Sequence, residues 1–399
     1  SDSASATQML NRMKTLPVTL LLVLLCTASL SARPKAVPQG FADSLLRSTV
    51  ERAVPAAKYV WNWRDAVVLK ALTDLYDLRP DLRPTVEEYV LTAMRATADR
   101  VHGNHPNGVA SGVGLAFLIR AGLDDGTFGA AADKVYRQYR RIGRFGGATS
   151  HRPGRIELWD DTVYMLTLYL LGMYRATGNE CYLDDCVREI TAHAVKLRNP
   201  ATGLWYHGWS ATNYCYEDGC CEYLWNSNQL QRNTEYWGRG NGWIAMSLAD
   251  VLALLPAGHR DRKALTSMFV QMMRTLCRVQ DPATGHWRQL PLRVEDAVAG
   301  NYIESSATAM FGYALAKGVA EGVLRGSRYR KAAERAWRGL LAHSVEGRGT
   351  DGLTLGNVCA GTCIGERRYY YARPVVSGES FATGAFLQFA GQMTRLDRR

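Results

Sequence analysis

Two carboxylates stand side by side in Glu157-Leu-Trp-Asp-Asp-Thr-Val-Tyr-Met165, where polar sequence gives way to an apolar run. A carboxylate in the first turn of a helix is stabilised as the anion, which lowers its pKa and makes it a poor acid. To donate a proton near neutral pH, Asp161 has to be partly desolvated or set beside another negative charge. Trp159 and the carboxylate of an acidic substrate can supply both. Further on, Gly203-Leu-Trp-Tyr-His-Gly-Trp209 surrounds His207 with aromatic rings, and Tyr236-Trp-Gly-Arg-Gly-Asn-Gly-Trp243 sets Arg239 between Trp237 and Trp243. A guanidinium fork grips a carboxylate at two points, and flanking indoles form an apolar wall. Gly238, Gly240 and Gly242 let the backbone come close. These residue types suit a flat, anionic, hydroxyl-rich ligand, and an acidic sugar fits.

The segments that must position these groups read as helices of two kinds. Amphipathic, charged stretches cover Phe41–Val54, Pro84–Val101, Phe128–Ile142, Tyr182–Leu197, His259–Val279 and Ser327–His343. Almost wholly apolar stretches cover Ala66–Tyr76, Val109–Ile119, Val163–Tyr174, Trp243–Leu255, Ala307–Ala316 and Phe381–Phe389. A helix that is apolar on one face lies at the surface, and one that is apolar all round is buried. Six of each in alternation predict an all-α (α/α)6 barrel, six inner helices wrapped by six outer ones. Strand signals are confined to connections such as Gly285–Leu292 and Tyr369–Val376. Each inner helix begins with a polar group: Asp65, Asn107, Asp161, Asn241, Glu304 or Glu379. Taken singly these are ordinary N-caps and first-turn acids. In a barrel of parallel inner helices, however, the six N-termini share one mouth that attracts an anion.

The chain has 399 residues, 47% of them hydrophobic and 21% charged, with a net charge of +11, 10 Trp and 20 Tyr. That balance excludes disorder, collagen and coiled coil. Lys14, the apolar run from Leu16 to Cys26 and the small residues 28–32 form the three parts of a secretory signal. Residues 1–32 are therefore expected to be removed, leaving 33–399 as one catalytic domain in the extracellular space. No other segment reads as membrane-spanning. Eight cysteines remain after residue 32, an even number that favours disulfides in a secreted chain. Cys215, Cys220 and Cys221 crowd one loop, and Cys359 and Cys363 sit four apart in another. No histidine pair with zinc-ligand spacing lies beside them. The positive charge suits an acidic substrate, and no Lys/Arg run argues for nucleic acid.

Together with His105-Pro-Asn-Gly-Val-Ala-Ser-Gly112 and Glu304-Ser-Ser306, the three motifs above resemble the unsaturated rhamnogalacturonyl hydrolases (glycoside hydrolase family 105) and the related unsaturated glucuronyl hydrolases of family 88. The resemblance runs in the same order from about Trp61 to Phe389. It implies an (α/α)6 barrel acting on oligosaccharides already cut by a polysaccharide lyase. Such cuts leave a C4=C5 double bond in the terminal uronic acid. Water is added across that bond, and the hemiketal so formed opens and releases the sugar. The resemblance makes Asp161 the general acid and base, with Asp160 as the substitute candidate. It puts Trp63, Asn107, His151, His207, Trp237, Arg239 and Trp243 around the substrate. It implies no metal and no cofactor. Relatives often carry a second Asp where this chain has Asn107, and the segment between His207 and Trp237 is longer here.

Two other functions fit parts of the pattern. An inverting glycosidase on saturated glycosides needs a second placed carboxylate, for which Glu304 and Glu379 are candidates. A secreted sugar-binding protein without catalysis is favoured by Asn107 and opposed by Asp161, His207 and Arg239.

Overall fold

The computed structural model describes residues 55–212, 221–222, 224–346 and 354–397. The proposed signal, the expected outer helix Phe41–Val54 and Cys215 and Cys220 lie outside the described residues. All the described residues fall in one compact unit.

Six apolar helical segments form the inner ring: α1 (Trp63–Leu78), the pair α3 (Pro106–Ala110) and α4 (Gly112–Arg120), α6 (Asp160–Thr177), α8 (Gly238–Leu254), α10 (Ser305–Ala320) and α13 (Ser380–Asp397). Each packs on the next, and α13 packs back on α1, so the ring closes. The outer helices are α2 (Arg83–Ala96), α5 (Thr127–Tyr139), α7 (Glu180–Leu197), α9 (Arg262–Val279) and α11 (Ser327–His343). Each returns along the inner helix before it. The α6–α7 hairpin shows how the sequence enforces the return. Gly178 ends α6 at φ 70°, a left-handed conformation that glycine adopts without a Cβ penalty, and Asn179 then caps α7 by accepting from Cys181 N. Every outer helix reverses direction, so the inner helices run parallel and their N-termini meet at one end. Burial follows the composition: 15 of the 17 residues of α8 are buried, against six of the 18 in α9. No helix among the described residues is long and apolar enough to cross a membrane.

The structure departs from the sequence reading in places. The expected helix Val109–Ile119 is divided at Ser111, whose hydroxyl donates to Asn62 O at 3.0 Å and meets the Tyr59 hydroxyl at 2.8 Å. Tyr369–Val376 reads as a strand from its aromatics, yet Arg367–Tyr371 is a short helix, α12, and only Val375–Val376 pairs as β10. Tertiary burial of Tyr370 overrides its local β preference. Among the described cysteines, Cys181, Cys186, Cys221, Cys277 and Cys359 are free thiols, while Cys363 is disulfide-bonded. Cys186 sits within α7 and Cys277 within α9, packed as small apolar side chains rather than as cross-links.

Among the described residues ten short strands tie the connections together, and three of their pairings bear on the site. β3 (Glu157–Trp159) runs antiparallel to β4 (Gly208–Ser210), with Trp159 opposite Gly208. β5 (Trp287–Arg288) pairs with β6 (Ile303–Glu304), which leads into α10. β9 (Val358–Cys359) pairs with β10 and anchors the loop that follows it.

Candidate active site

The β3–β4 pairing brings the two halves of the site together. β3 runs directly into α6, whose first residues are Asp160 and Asp161, and His207 immediately precedes β4. The amide of Asp160 donates to His207 O at 3.0 Å. The imidazole Nε2 consequently lies 3.0 Å from Asp161 Oδ2 and 3.9 Å from Asp160 Oδ1. His207 Nδ1 meets the Tyr370 hydroxyl at 2.8 Å. That hydroxyl already accepts from both Gly365 N and Asn233 Nδ2, so it donates to Nδ1 and leaves the ring proton on Nε2, directed at Asp161. The chain Tyr370–His207–Asp161 thus fixes both tautomer and direction.

The electrostatics follow from this wiring. Burial pushes the Asp161 carboxyl up, but the His207 hydrogen bond and charge, with His151 behind them, outweigh it and bring the pKa down to about 2. Burial drives His207 below its ordinary value despite the bond to Asp161, and it drives His151 well below. At neutral pH the site therefore holds an ionised Asp161 among neutral imidazoles. Asp160 has the opposite fate. Its burial, then the charge of Asp161, raise it well above the ordinary carboxylate range.

Asp161 opens into a cavity of about 260 Å³ at the N-terminal mouth of the ring. Trp63 and Arg64 reach it from the start of α1, His105 and Asn107 from the cap and first turn of α3, Met165 from α6, and Gly361, Thr362 and Cys363 from the loop after β9. The connection from β2 (Ala148–Thr149) to β3 adds His151 and Arg152, and β3 adds Trp159. His151 stacks on Trp159 with centroids 4.3 Å apart and bonds Thr162 Oγ1 at 2.9 Å. His105 stands edge-on to His151 and is lowered to about 4 by burial and by the nearby charges of His102 and Arg152. Arg152 lies over the Trp159 ring, 5.2 Å from its centroid.

Of the residues expected at the substrate, Asp161, Trp63, Asn107 and His151 line this cavity. His207 stands directly behind Asp161. Three others do not reach it. Arg239 is 1% exposed and points away, donating to Cys359 O at 2.7 Å and Ala360 O at 2.8 Å while stacking between Trp237 and Phe381. Its fork is filled by two carbonyls, so it braces the 361–363 wall from behind instead of gripping a ligand. Trp237 is the floor under His207, stacked at 4.4 Å, and Trp243 is core, stacked on Tyr164 at 4.8 Å. The glycines between them are explained by close approach: a Cβ on Gly240 would lie 2.2 Å from Asp160 Oδ2.

The carboxylates proposed for an inverting glycosidase are engaged elsewhere. Glu304 is fully buried and accepts from Ser306 N, Ala307 N and Cys359 N, capping α10 and holding the same loop. Glu379 pairs with Arg64. Arg64, His105, Arg152 and the 361–363 loop are the lining residues that sequence reasoning missed. Arg152 adjoins His151 and Arg64 adjoins Trp63, so adjacency was the available signal. Asp160, Asp161 and His207 bring their oxygens and nitrogen within 4.8 Å of one another, a spacing that the hydrogen-bonded chain explains without an ion.

A parallel inner ring with one ionised carboxylate at its mouth, backed by imidazoles and arginines, defines a helical-barrel glycoside hydrolase. The chain belongs to Glycosyl Hydrolase Family 88, whose model matches residues 41–397. It is 25% identical over 375 residues to the unsaturated rhamnogalacturonyl hydrolase YesR of Bacillus subtilis, covering 90% of this chain and 98% of that one. A stretch of 166 residues, 41% of this chain and 39% of the relative, is 30% identical to an unsaturated 3S-rhamnoglycuronyl hydrolase of Formosa agariphila. Among solved structures, a family 105 glycoside hydrolase from C. acetobutylicum matches with a TM-score of 0.76 at 22% identity, covering 90% of this chain and all of the other. The unsaturated glucuronyl hydrolase of Bacillus sp. GL1 matches at 0.62 and 17% identity, covering 89% and 94%. These likenesses agree with the six-hairpin fold read from the helix alternation.

Proposed function

We propose that this enzyme releases the terminal 4,5-unsaturated uronic acid from lyase-generated oligosaccharides by hydrating the C4=C5 bond. The preferred substrate on this reading is unsaturated galacturonyl-rhamnose from pectin. One observation carries the proposal: a single carboxylate, Asp161, faces the cavity, with no second free carboxylate across from it among the lining residues. A direct displacement at the glycosidic carbon uses two carboxyl groups, whereas hydration of an enol ether needs one group that gives a proton and takes one back. Arg64 and Arg152 supply the positive charge that meets the uronate carboxylate, and Trp63 and Trp159 supply flat apolar faces for the sugar. His207 aligns Asp161, and Asn107 offers an amide to the hydroxyls. The names of three of these relatives, an unsaturated rhamnogalacturonyl, an unsaturated 3S-rhamnoglycuronyl and an unsaturated glucuronyl hydrolase, support the same chemistry. We further propose that residues 1–32 are removed as a signal and that residues 33–399 act outside the cell as one domain.

The test follows the ultraviolet absorbance of the conjugated double bond in lyase-cut pectin and lyase-cut glycosaminoglycan fragments. Loss of absorbance with wild type and not with Asp161→Asn is the expected result, and the faster substrate assigns the sugar. Release of saturated sugar without a change in absorbance would overturn the reading.

A further inference from the structure

Asp161 alone leaves the reaction one proton short. It is ionised in the resting site, while the first step needs an acid. The residue beside it resolves the difficulty. Asp160 is fully buried, and among the described residues neither of its carboxyl oxygens has a hydrogen-bond partner. A carboxylate in that position would be a desolvated anion without compensation, at a cost of several kcal/mol, on the order of that for other buried unpaired charges. Its polar neighbours are the Asp161 carboxyl and His207, whose Nε2 lies 3.9 Å from Asp160 Oδ1, and the three groups stand within 4.8 Å of one another. Two carboxyl groups crowded this closely in a buried site do not both ionise, so one of them holds a proton. The backbone of Gly240 seals the far side, so close that a Cβ there would strike Asp160 Oδ2.

We propose that Asp160 and Asp161 form a dyad that holds one proton, with Asp160 as its resting seat and as the reserve from which Asp161 is charged to act as the acid. This rests on the hydration reading above. The titratable and charged groups around the dyad are His207 beside β4, His151 on the β2–β3 connection, Tyr370 on α12 and Arg239 on α8. The two imidazoles have lowered pKa values and are neutral, Tyr370 is raised and stays protonated, and Arg239 is turned to the 359–360 carbonyls. None of them competes for the shared proton near neutral pH.

The steps balance. The proton passes from Asp160 to Asp161, giving a carboxylic acid that faces the cavity. Asp161 delivers it to C4, where the π pair of the C4=C5 bond makes the new C–H bond. The positive charge left at C5 is shared by the ring oxygen. A water oxygen bonds to C5, and the proton it sheds returns to Asp161 and then to Asp160. Hydrogen has been added at C4 and hydroxyl at C5, and the dyad again holds one proton. Asp160 never touches substrate, so it is a positioning residue and proton reserve.

Asp160→Asn is the discriminating variant, because an amide keeps the size and polarity of the side chain but gives up no proton. The expected result is a fall in kcat of about 100-fold or more, the usual range for lost acid catalysis, with KM little changed. The wild-type kcat profile is expected to decline on its alkaline side as the dyad loses its proton, and the variant is expected to lack that limb. Wild-type kcat and an unaltered profile in Asp160→Asn would overturn the proposal. A second measurement is independent of turnover. Infrared spectra of the aspartate-labelled protein should show one protonated carboxyl near neutral pH in wild type and none in Asp160→Asn. A wild-type spectrum with carboxylates alone would overturn the dyad even if the enzyme turns over. The band together with inactivity on every unsaturated uronide would keep the dyad and remove only the hydration reading.

Discussion

The two ends of the inner ring both bury carboxylates, and they treat them in opposite ways. At the C-terminal end, a cavity of about 230 Å³ is lined by Lys70, Asp74, Asp250 and Lys317, with Arg175, Asp77, Glu321 and Arg395 toward its rim. Asp250 there lies 3.3 Å from Lys70 and also pairs with Lys317 and the Tyr313 hydroxyl. Those cations hold its carboxyl below the ordinary range against the opposing effect of burial. At the N-terminal mouth, Asp160 is buried as deeply but its nearest charged neighbour is another carboxylate, and its pKa is raised. The same side chain becomes a permanent anion where cations surround it and a proton store where they do not. Balanced charge at one end fastens the barrel, and unbalanced charge at the other end leaves a group able to react.

The contrast is broken most sharply at Asp161. Asp161→Asn should lower kcat by about 10²- to 10⁴-fold, the range expected for a lost acid–base group, while the protein stays folded at the assay temperature despite losing the Asp161–His207 pairing. Thermal unfolding measured beside the absorbance assay separates the two effects. A variant already unfolded at the assay temperature would mean that the mouth is structural after all. Asp250→Ala makes the converse prediction. It leaves Lys317 with the Tyr313 hydroxyl and Lys70 with Asp74 alone, and breaking one partner of such a buried cluster costs about 3–5 kcal/mol of stability. Activity per folded molecule should hardly change. Urea denaturation with activity normalised to the folded fraction measures both, and a specific loss of turnover would contradict the division of labour between the ends.

A smaller effect probes the mouth's recognition of charge. Arg152 reaches the cavity over Trp159 and contacts Cys221 Sγ at 3.4 Å, so its guanidinium is held at the wall. Arg152→Ala should raise KM for the unsaturated uronide by about 10-fold or more, as losing a charged hydrogen bond of about 1.5–3 kcal/mol does. kcat should change less. Steady-state kinetics on the free acid and on its methyl ester give the readout, since the ester should be indifferent to the substitution. Equal KM changes for both would assign Arg152 to the wall and not to the carboxylate.

Much of this arrangement was legible in the sequence, for physical reasons that also explain what was not. The six inner helices announce themselves because a segment apolar on every side has nowhere to go but the core. Asp161, Asn107 and Trp63 sit at helix starts, and parallel packing makes helix starts converge, so their meeting was foreseeable. His207 was legible from its motif, yet its link to Asp161 depends on β3 pairing with β4 across nearly 50 residues of chain. Arg239 was misassigned because an arginine bracketed by tryptophans looks the same in sequence whether its fork meets a ligand or the 359–360 carbonyls. The loop that supplies those carbonyls joins the mouth only when the last hairpin closes the ring, so Gly361–Cys363 carried no local signal. The reserve role of Asp160 was hidden for the same reason, since only the seal by Gly240 distinguishes it from an ordinary first-turn acid.

The finest test of the comparison uses pH. An unfolded aspartate titrates at about 3.9. Asp250 has a folded value below that, so its contribution to stability is in place above the unfolded value and is lost as pH falls through the folded one. Asp160 has a folded value above it, so its contribution is in place below the unfolded value and is lost as pH rises toward the folded one. The two variants should therefore diverge with pH in opposite senses. Asp250→Asn should be most destabilised near neutrality and approach wild type in acid. Asp160→Asn should gain on wild type as pH rises above about 4, because the asparagine has no proton to hold in the folded state and lose from the unfolded one. Urea midpoints for the three proteins across the acid-to-neutral range measure the slopes. Parallel curves for Asp160→Asn and wild type would show that Asp160 titrates like any exposed carboxyl, and the difference between the two ends of the barrel would then lie in accessibility alone.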